Sequence, residues 1–535
     1  MEAGEVSSTA ASNPASRHYW AAPGHRIGEQ RELDEGGNKV DWLIDNAEAY
    51  DALIGAMREA RESIWISQLA FDSDCKAYAS DGAGPEADID YANLLDSILM
   101  ASSEQGVRVK ILLNSTLLLD TRRPLLRFLA GSDLDTDLLE VRGISRFPQL
   151  LHAKIVIIDE RRAFLMGSPF VNGYWDTPRH APVDNRRPRR ELGGRPIHDV
   201  SVGVHGPAVY DLAKIFARLW NGAAHPELDH ATRLEPGVFN RGTAQNGLQM
   251  VTTEPPGRQV SDSGSRETLN ALLDGIQRAR SLIYIEHQYL SSRPVVKALR
   301  QALDRERSLE IIIVLNQNPD VTAYRRWQNA RLRETGLLAH ARVGVFALWS
   351  AETRIGSFGP DVNQVFVHSK VVVIDDEWAM VGSANLDGVS LGSYGDDFSG
   401  RLARRVFRNV RNFDVSMVLT ARDSAREPNP IREWRERLWM EHLGNRAQAV
   451  EGRTDAQLPT WKALASRNVT WLNGLARSDP ARLGGSFILP YSTSPTPRAQ
   501  LADAGVRPAA AIQLRFDPGW LEVHCSPNWI RNMFL

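Results

Sequence analysis

The chain has 535 residues, 43% of them hydrophobic and 24% charged, with a formal net charge of -2. That is a globular composition with length enough for two or three cores, and its balanced charge argues against nucleic acid as the expected partner. Two cysteines, Cys75 and Cys525, give neither zinc spacing nor a disulfide framework and fit a reducing compartment.

Residues 1–38 are polar, rich in small side chains and aperiodic, and read as a disordered arm. The N-terminus shows no basic stretch followed by an apolar run, so no ordinary secretory signal is expected. No apolar run reaches about 18 residues, so no membrane span is expected either. The default compartment is the cytoplasm, and export by a route without a signal peptide stays open.

From there a pattern appears twice. In the first copy, residues 47–62 form an amphipathic helix, with Tyr50, Leu53, Ile54 and Met57 at helical spacing. A strand (SIWISQLAF), a helix ending at Gly106 and a strand (VRVKILLN) follow. The second copy runs through a helix at 267–280, a strand (SLIYIEHQYL), a helix (VVKALRQALDRER) and a strand (LEIIIVLNQ). The copies close alike, with HDVSVGVHG and a helix in one, and FDVSMVLTA and a helix in the other. Strands alternating with helices predict an α/β fold: two similar α/β/α lobes related by a pseudo-dyad, with mixed sheets flanked by helices. The first lobe is assigned to residues 39–240 and the second to 241–445. Residues 446–535 differ in composition and read as a C-terminal extension without assigned role.

Each copy carries H-x-K-x4-D on an apolar, β-branched segment: His152, Lys154 and Asp159, then His368, Lys370 and Asp375. Three fixed positions match by accident about once in 8,000 starts, so two matches inside a repeated framework are not accidental. On a strand, His and Lys two apart share a face. Asp159 and Asp375 fall at the strand ends and are expected to hold a turn. Short polar turns then lead to second strands, forming hairpins that return Gly167-Ser168 and Gly382-Ser383 towards the His–Lys end. Ser168, Asn172, Ser383 and Asn385 are the candidate phosphate contacts.

Breaking a phosphodiester needs an in-line nucleophile, positive charge on the non-bridging oxygens and a proton for the leaving oxygen. One imidazole serves as nucleophile, a second as acid and then base, and two lysines clamp the phosphate. Each lobe supplies half of this set, and the lysines supply the charge, so no metal or other cofactor is expected. Asp199 and Asp414 lie 47 and 46 residues after the histidines of their own copies (199 − 152 and 414 − 368). They are expected to orient the imidazoles from behind.

HAKIVIID and HSKVVVIDDEWAMVGSANLD resemble the paired motifs of the phospholipase D superfamily over about residues 40–445. IEHQYL resembles that family's IENQYF-type strand, and LWMEHLG the end of the core in phospholipase D enzymes proper. The resemblance implies a phosphohistidine intermediate on the N-terminal histidine, here His152. The first motif departs from the pattern: seven residues, not six, separate Asp159 from Gly167, and its Asn is displaced to Asn172.

The expected function is that of a phospholipase D: hydrolysis of the distal phosphodiester of a glycerophospholipid at a membrane surface, by a monomer, with transfer to an alcohol as side reaction. The alternatives are a cardiolipin synthase-type phosphatidyltransferase, a nuclease of the same family, and an inactive binding module. Gly388–Gly392 matches G-x-S-x-G, but such a pattern is common and lies in the tail of the second motif. The basic run at Arg186–Arg190 reads as a solvated loop or a lipid-phosphate contact.

Overall fold

The computed structural model describes residues 31–516 except 33–36, 79–90, 117–118, 133–135, 147, 189–193, 224–233, 235–246, 258–262, 353–359, 399, 422–428, 444–456 and 475–484. The arm expected at the N-terminus lies outside the described residues up to residue 30, although Arg31–Glu32 pairs with the first long strand. The expected lobe boundary at 240/241 also lies outside them.

Among the described residues, two large sheets carry the fold. The first has eight strands, in the order 31–32, 39–44, 200–205, 162–165, 155–158, 63–67, 108–114 and 139–144. The second has eleven, beginning 265–266, 248–254, 414–420, 378–382, 370–374, 282–287, 310–315 and 343–352. Seven consecutive strands therefore match one to one. In each sheet the two strands beyond the hairpin run parallel, 63–67 with 108–114 and 282–287 with 310–315. Helices supply those crossovers; 108–114 with 139–144, 310–315 with 343–352 and the short pairing of 361–362 with 515–516 are parallel too, and the remaining pairs are antiparallel. Both faces of the central strands are buried, which is why they read as continuous Ile/Val/Leu runs rather than alternating ones.

Residues 446–535, read from the sequence as an extension beyond the second lobe, are in part built into that lobe's sheet. Gly485–Pro490 pairs with Val343–Glu352 along six residues, and Arg515–Phe516 pairs with Asp361–Gln364. The many apolar and aromatic residues of the segment follow from this: Trp461, Leu464, Ile488 and Leu489 are buried.

The outer face of each sheet packs on its own helices. The inner faces share one hydrophobic cluster, which takes Ile157 and Val202 from the first sheet and Val371 and Val415 from the second. Helices Ala208–Gly222, Pro430–Leu443 and Gln457–Gly474 complete it. Trp434 stacks on Trp42 at 4.0 Å, and Arg437 bonds the Trp42 carbonyl and Glu48. The lobes thus close on each other through apolar surface rather than touching at a wet hinge.

Candidate active site

Both His-x-Lys segments sit on hairpins built the same way. Ile155–Ile158 returns as Arg162–Leu165, and Lys370–Ile374 as Trp378–Gly382, each over three residues. Asp159 and Asp375 open those turns with φ of 51° and 55°, a left-handed conformation that Asp tolerates. Asp159 accepts from the backbone N–H groups of Arg61, Glu62 and Ser63. Asp375 does the same for Arg280, Ser281 and Leu282. Each aspartate therefore pins the adjacent parallel strand's start and lies at the end of the hairpin away from the histidine.

The extra residue of the first motif is Met166. Leu165 pairs Ile155 as Val381 pairs Val371; Gly382 follows Val381 at once, whereas Met166 intervenes before Gly167. The insertion is absorbed there, and the Met166 N–H still bonds the Lys154 carbonyl. Gly167 and Gly382 are required by close approach: a Cβ would collide with the Asp199 carboxylate in one lobe and the Val415 carbonyl in the other.

The two half-sites are knitted across the lobe interface. Ile197–His198 pairs in parallel with Phe366–Val367, and Leu151 bridges Phe413. Accordingly the His368 N–H bonds the His198 carbonyl, and the His152 N–H bonds the Phe413 carbonyl. This exchanges the carboxylates. His152 Nδ1 meets Asp414 Oδ1 at 2.6 Å, and His368 Nδ1 meets Asp199 Oδ2 at 2.8 Å. The sequence offsets group each Asp with the histidine of its own copy; in the fold each serves the histidine of the other.

A carboxylate on Nδ1 fixes the proton there and turns the Nε2 lone pair forward. His152 Nε2 lies 3.2 Å from Lys154 Nζ. His368 Nε2 has no hydrogen-bond partner among the described residues. Lys370 Nζ donates to Gln288 Oε1 at 3.2 Å and to the His368 carbonyl. All four side chains are almost fully buried. Burial, then the ammonium of Lys154, pulls His152 down to about 4. Burial and Lys370 pull His368 down to about 3. Lys154 falls to about 7 through burial and the nearby Lys370, and Lys370 falls to about 8 through burial. Burial pushes Asp199 and Asp414 up, but the imidazole and lysine beside each outweigh it; Asp199 comes to about 2, and Asp414 is also lowered. The result is two imidazoles held towards the neutral form and two weakly held ammonium protons, with an ionised aspartate behind each imidazole.

Three expected phosphate contacts are corrected. Ser168 donates to Asp199 and accepts from Asn46. Ser383 donates to Asp414 at 2.8 Å. Both hydroxyls therefore steady the carboxylates behind the imidazoles, because the Gly-Ser turn abuts the Asp strand. Asn172 accepts from the Lys76 N–H and donates to the Asp74 carbonyl, so the displaced Asn holds a neighbouring loop. Asn385 is buried, with its Oδ1 unpartnered among the described residues. In the basic run, Arg187 is buried on Asp176 rather than solvated and Arg186 lies over Trp175; Arg189 and Arg190 lie outside the described residues.

Three site residues, Asn114, Asn316 and Gln68, escaped the sequence reading. Asn114 and Asn316 clamp the backbone just before each histidine, at Leu151 and Val367. The signal was present, since both strands end in Leu-Asn. His287 pairs with Lys370 in register and Gln68 holds the matching place, and neither side chain finds a partner among the described residues. Gly388–Gly392 is a turn whose Val389 and Ser390 N–H groups are capped by Asp387.

The fold thus repeats itself and brings one His–Lys strand from each half together at the lobe interface. A family model described as "Cardiolipin synthase, PLD-like domain" matches residues 272–397. Cardiolipin synthase of Listeria welshimeri is 23% identical over 371 residues, spanning 65% of this chain and 62% of that protein. The chain thus covers less than two thirds of that relative's length. Phospholipase D A of Dictyostelium discoideum is 25% identical over 419 residues, 65% of this chain and 32% of its own. Among solved structures, phosphatidylserine synthase of Haemophilus influenzae Rd KW20 aligns with a TM-score of 0.47 and 15% identity over 77% of this chain and 88% of its own. The chain belongs to the phospholipase D superfamily.

Proposed function

We propose that the protein moves a phosphatidyl group from one alcohol to another, with water as the competing acceptor. His152 Nε2 attacks the phosphorus of a glycerophospholipid, forming a P–N bond. The bond to the head-group oxygen breaks, and protonated His368 delivers its proton to that oxygen. His368 then takes a proton from the incoming hydroxyl as the new P–O bond replaces P–N. Lys154, Lys370 and Asn385 hold the non-bridging oxygens. The phosphate anion itself supports protonation of one imidazole by raising its pKa on binding. One chain supplies both halves, so no second copy is needed to complete the site.

The observation that carries this reading is the pair of forward-turned Nε2 atoms, each fixed by the other lobe's aspartate. A lipidic alcohol as acceptor is favoured over water by the names of the relatives, cardiolipin synthase in Listeria and ClsA in Bacillus subtilis, and by the burial of the site. Phospholipase D A of Dictyostelium favours hydrolysis as the second reading. A membrane surface as the place of action is supported by the helix Arg401–Phe407. Leu402 and Val406 are 76% and 60% exposed on it, flanked by exposed Arg401, Arg404 and Arg405, a pattern suited to anionic lipid.

The test is incubation of the purified chain with vesicles containing phosphatidylglycerol and phosphatidylethanolamine, with and without ethanol. Products are read by mass. Cardiolipin and phosphatidylethanol in excess over phosphatidate support transfer. Phosphatidate alone would shift the reading to hydrolysis, and no product from any lipid would end it.

A further inference from the structure

Behind the catalytic cavity lies a second set of buried titratable groups that the transfer reaction does not use. Asp45, His180, His198 and Glu441 bring one ligand atom each within 4.8 Å of the others. His198 Nδ1 lies 2.6 Å from Glu441 Oε1 and 3.1 Å from Asp45 Oδ1. His180 Nε2 is hydrogen-bonded to Glu441 Oε1 at 2.9 Å and lies 3.5 Å from Asp45 Oδ2. The four come from the start of the helix Asp45–Glu59, a loop, the interface strand Ile197–His198 and the helix Pro430–Leu443.

We infer that these four side chains form a site for a divalent first-row transition-metal ion, with zinc best matched to two imidazoles and two carboxylates.

Three observations carry this beyond a cluster of charges. First, both imidazoles present one nitrogen to the centre and have the other held by a carboxylate: His180 Nδ1 by Asp176 at 3.1 Å and His198 Nε2 by Glu286 at 2.7 Å. Metal-bound histidines are oriented in this way. Second, His198 Nδ1 touches two carboxylates without the alignment of a hydrogen bond, and neither it nor Asp45 Oδ2 has a hydrogen-bond partner among the described residues. Both residues are essentially inaccessible to solvent. An unaligned contact is what two ligands of one ion make with each other. The donor separations run from 2.6 to 3.5 Å; the longest reaches the about 3.3–3.6 Å between tetrahedral ligands about 2.0–2.2 Å from an ion, and the shorter ones would open as an ion entered. Third, Asp45 holds φ at 62°, a costly conformation for a residue with a side chain. It aims the carboxylate inward while the Asp45 N–H bonds the Asp199 carbonyl.

The competing occupant is the proton: imidazolium rings paired with carboxylates, with Arg187 balancing Asp176. The two occupants predict different metal content. The full-length chain, purified without chelator and without a histidine tag, should carry about one zinc or equivalent ion per chain by elemental mass spectrometry. Stripping and re-adding Zn2+ should raise the thermal midpoint by on the order of 5 °C at saturating metal. His180→Asn and Glu441→Gln should each remove the metal, whereas His152→Asn should retain it. A wild-type chain that holds no ion and whose midpoint is indifferent to Zn2+ and Mn2+ would overturn the inference and leave an ion-pair network. Metal retained in both ligand variants would overturn it equally. The wild-type titration decides even if a variant fails to fold. None of these readouts needs turnover, so they stand or fall apart from the proposed reaction.

Discussion

The division of labour between the imidazoles can be read through the crossed carboxylates. Asp414→Asn would offer His152 an amide donor in place of an acceptor, push the proton to Nε2 and remove the attacking lone pair. A wrong tautomer of this kind costs on the order of 10⁴ in rate. Asp199→Asn should do the same to His368, the acid. The two become distinguishable with a p-nitrophenyl phosphodiester, whose leaving group needs no proton. The first-turnover burst of p-nitrophenol should return in Asp199→Asn and His368→Asn but stay lost in Asp414→Asn and His152→Asn. The reverse pattern would make His368 the nucleophile. The same residues set the pH profile. Neutral His152 is lost only as pH falls through about 4, and the ammonium charge of Lys154 and Lys370 is lost as pH rises past about 7 and 8. Because the four groups interact, the limbs belong to the site as a whole. kcat/KM on a soluble phosphodiester should therefore fall above neutrality, and Lys154→Arg should carry that alkaline limb upward. A profile flat to pH 9.5 would remove the lysines from their role.

At the scale of the element, the hairpin turns bear the load. Asp375 caps three backbone N–H groups at once. Asp375→Gly keeps the left-handed turn but orphans those donors, and should lower stability by about 2–3 kcal/mol, read as a lower urea midpoint. Asp375→Asn, which keeps one acceptor oxygen, should lose less. The turn role of these aspartates was legible because seven residues from the histidine place them at a strand's far end. The repeated strands were equally legible from their apolar runs. The carboxylate exchange was not. Offsets of 47 and 46 residues measure position within a copy, whereas the partner is chosen by a two-residue parallel bridge between copies, Ile197–His198 with Phe366–Val367, too short to leave a sequence pattern. Ser168 and Ser383 misled for a related reason. Proximity to the histidine was visible, but which side of the ring they face depends on the Gly-Ser turn abutting the Asp strand. Arg187 looked solvated because its buried partner Asp176 sits eleven residues earlier in an aperiodic loop.

For the whole molecule, the shared inner core means the halves are not independent. Trp434, buried and stacked on Trp42, ties the last helix of one copy to the first strand of the other. Trp434→Ala should cost about 3–5 kcal/mol and should loosen the approach of His152 to Asp414 without touching either. Expressed separately, residues 39–222 and 248–516 should be insoluble, because each bares the apolar face now covered by its partner. Soluble, folded and active single halves would contradict a common core.

Exchange of aspartates by near-symmetric halves has a consequence for chemical asymmetry. By position in the repeat, imidazole answers to imidazole and carboxylate to carboxylate, so residue type alone does not tell attacker from proton donor. The distinction must be written in the neighbours that break the twofold: Gln288 on Lys370 where the first copy has Leu69 in sequence register, His287 where it has Gln68, and Tyr174 edge-on to His368 at 5.0 Å. Transplanting these unmatched side chains from one half to the other, rather than altering the quartet, is how the direction of the reaction across the pseudo-dyad would be inverted.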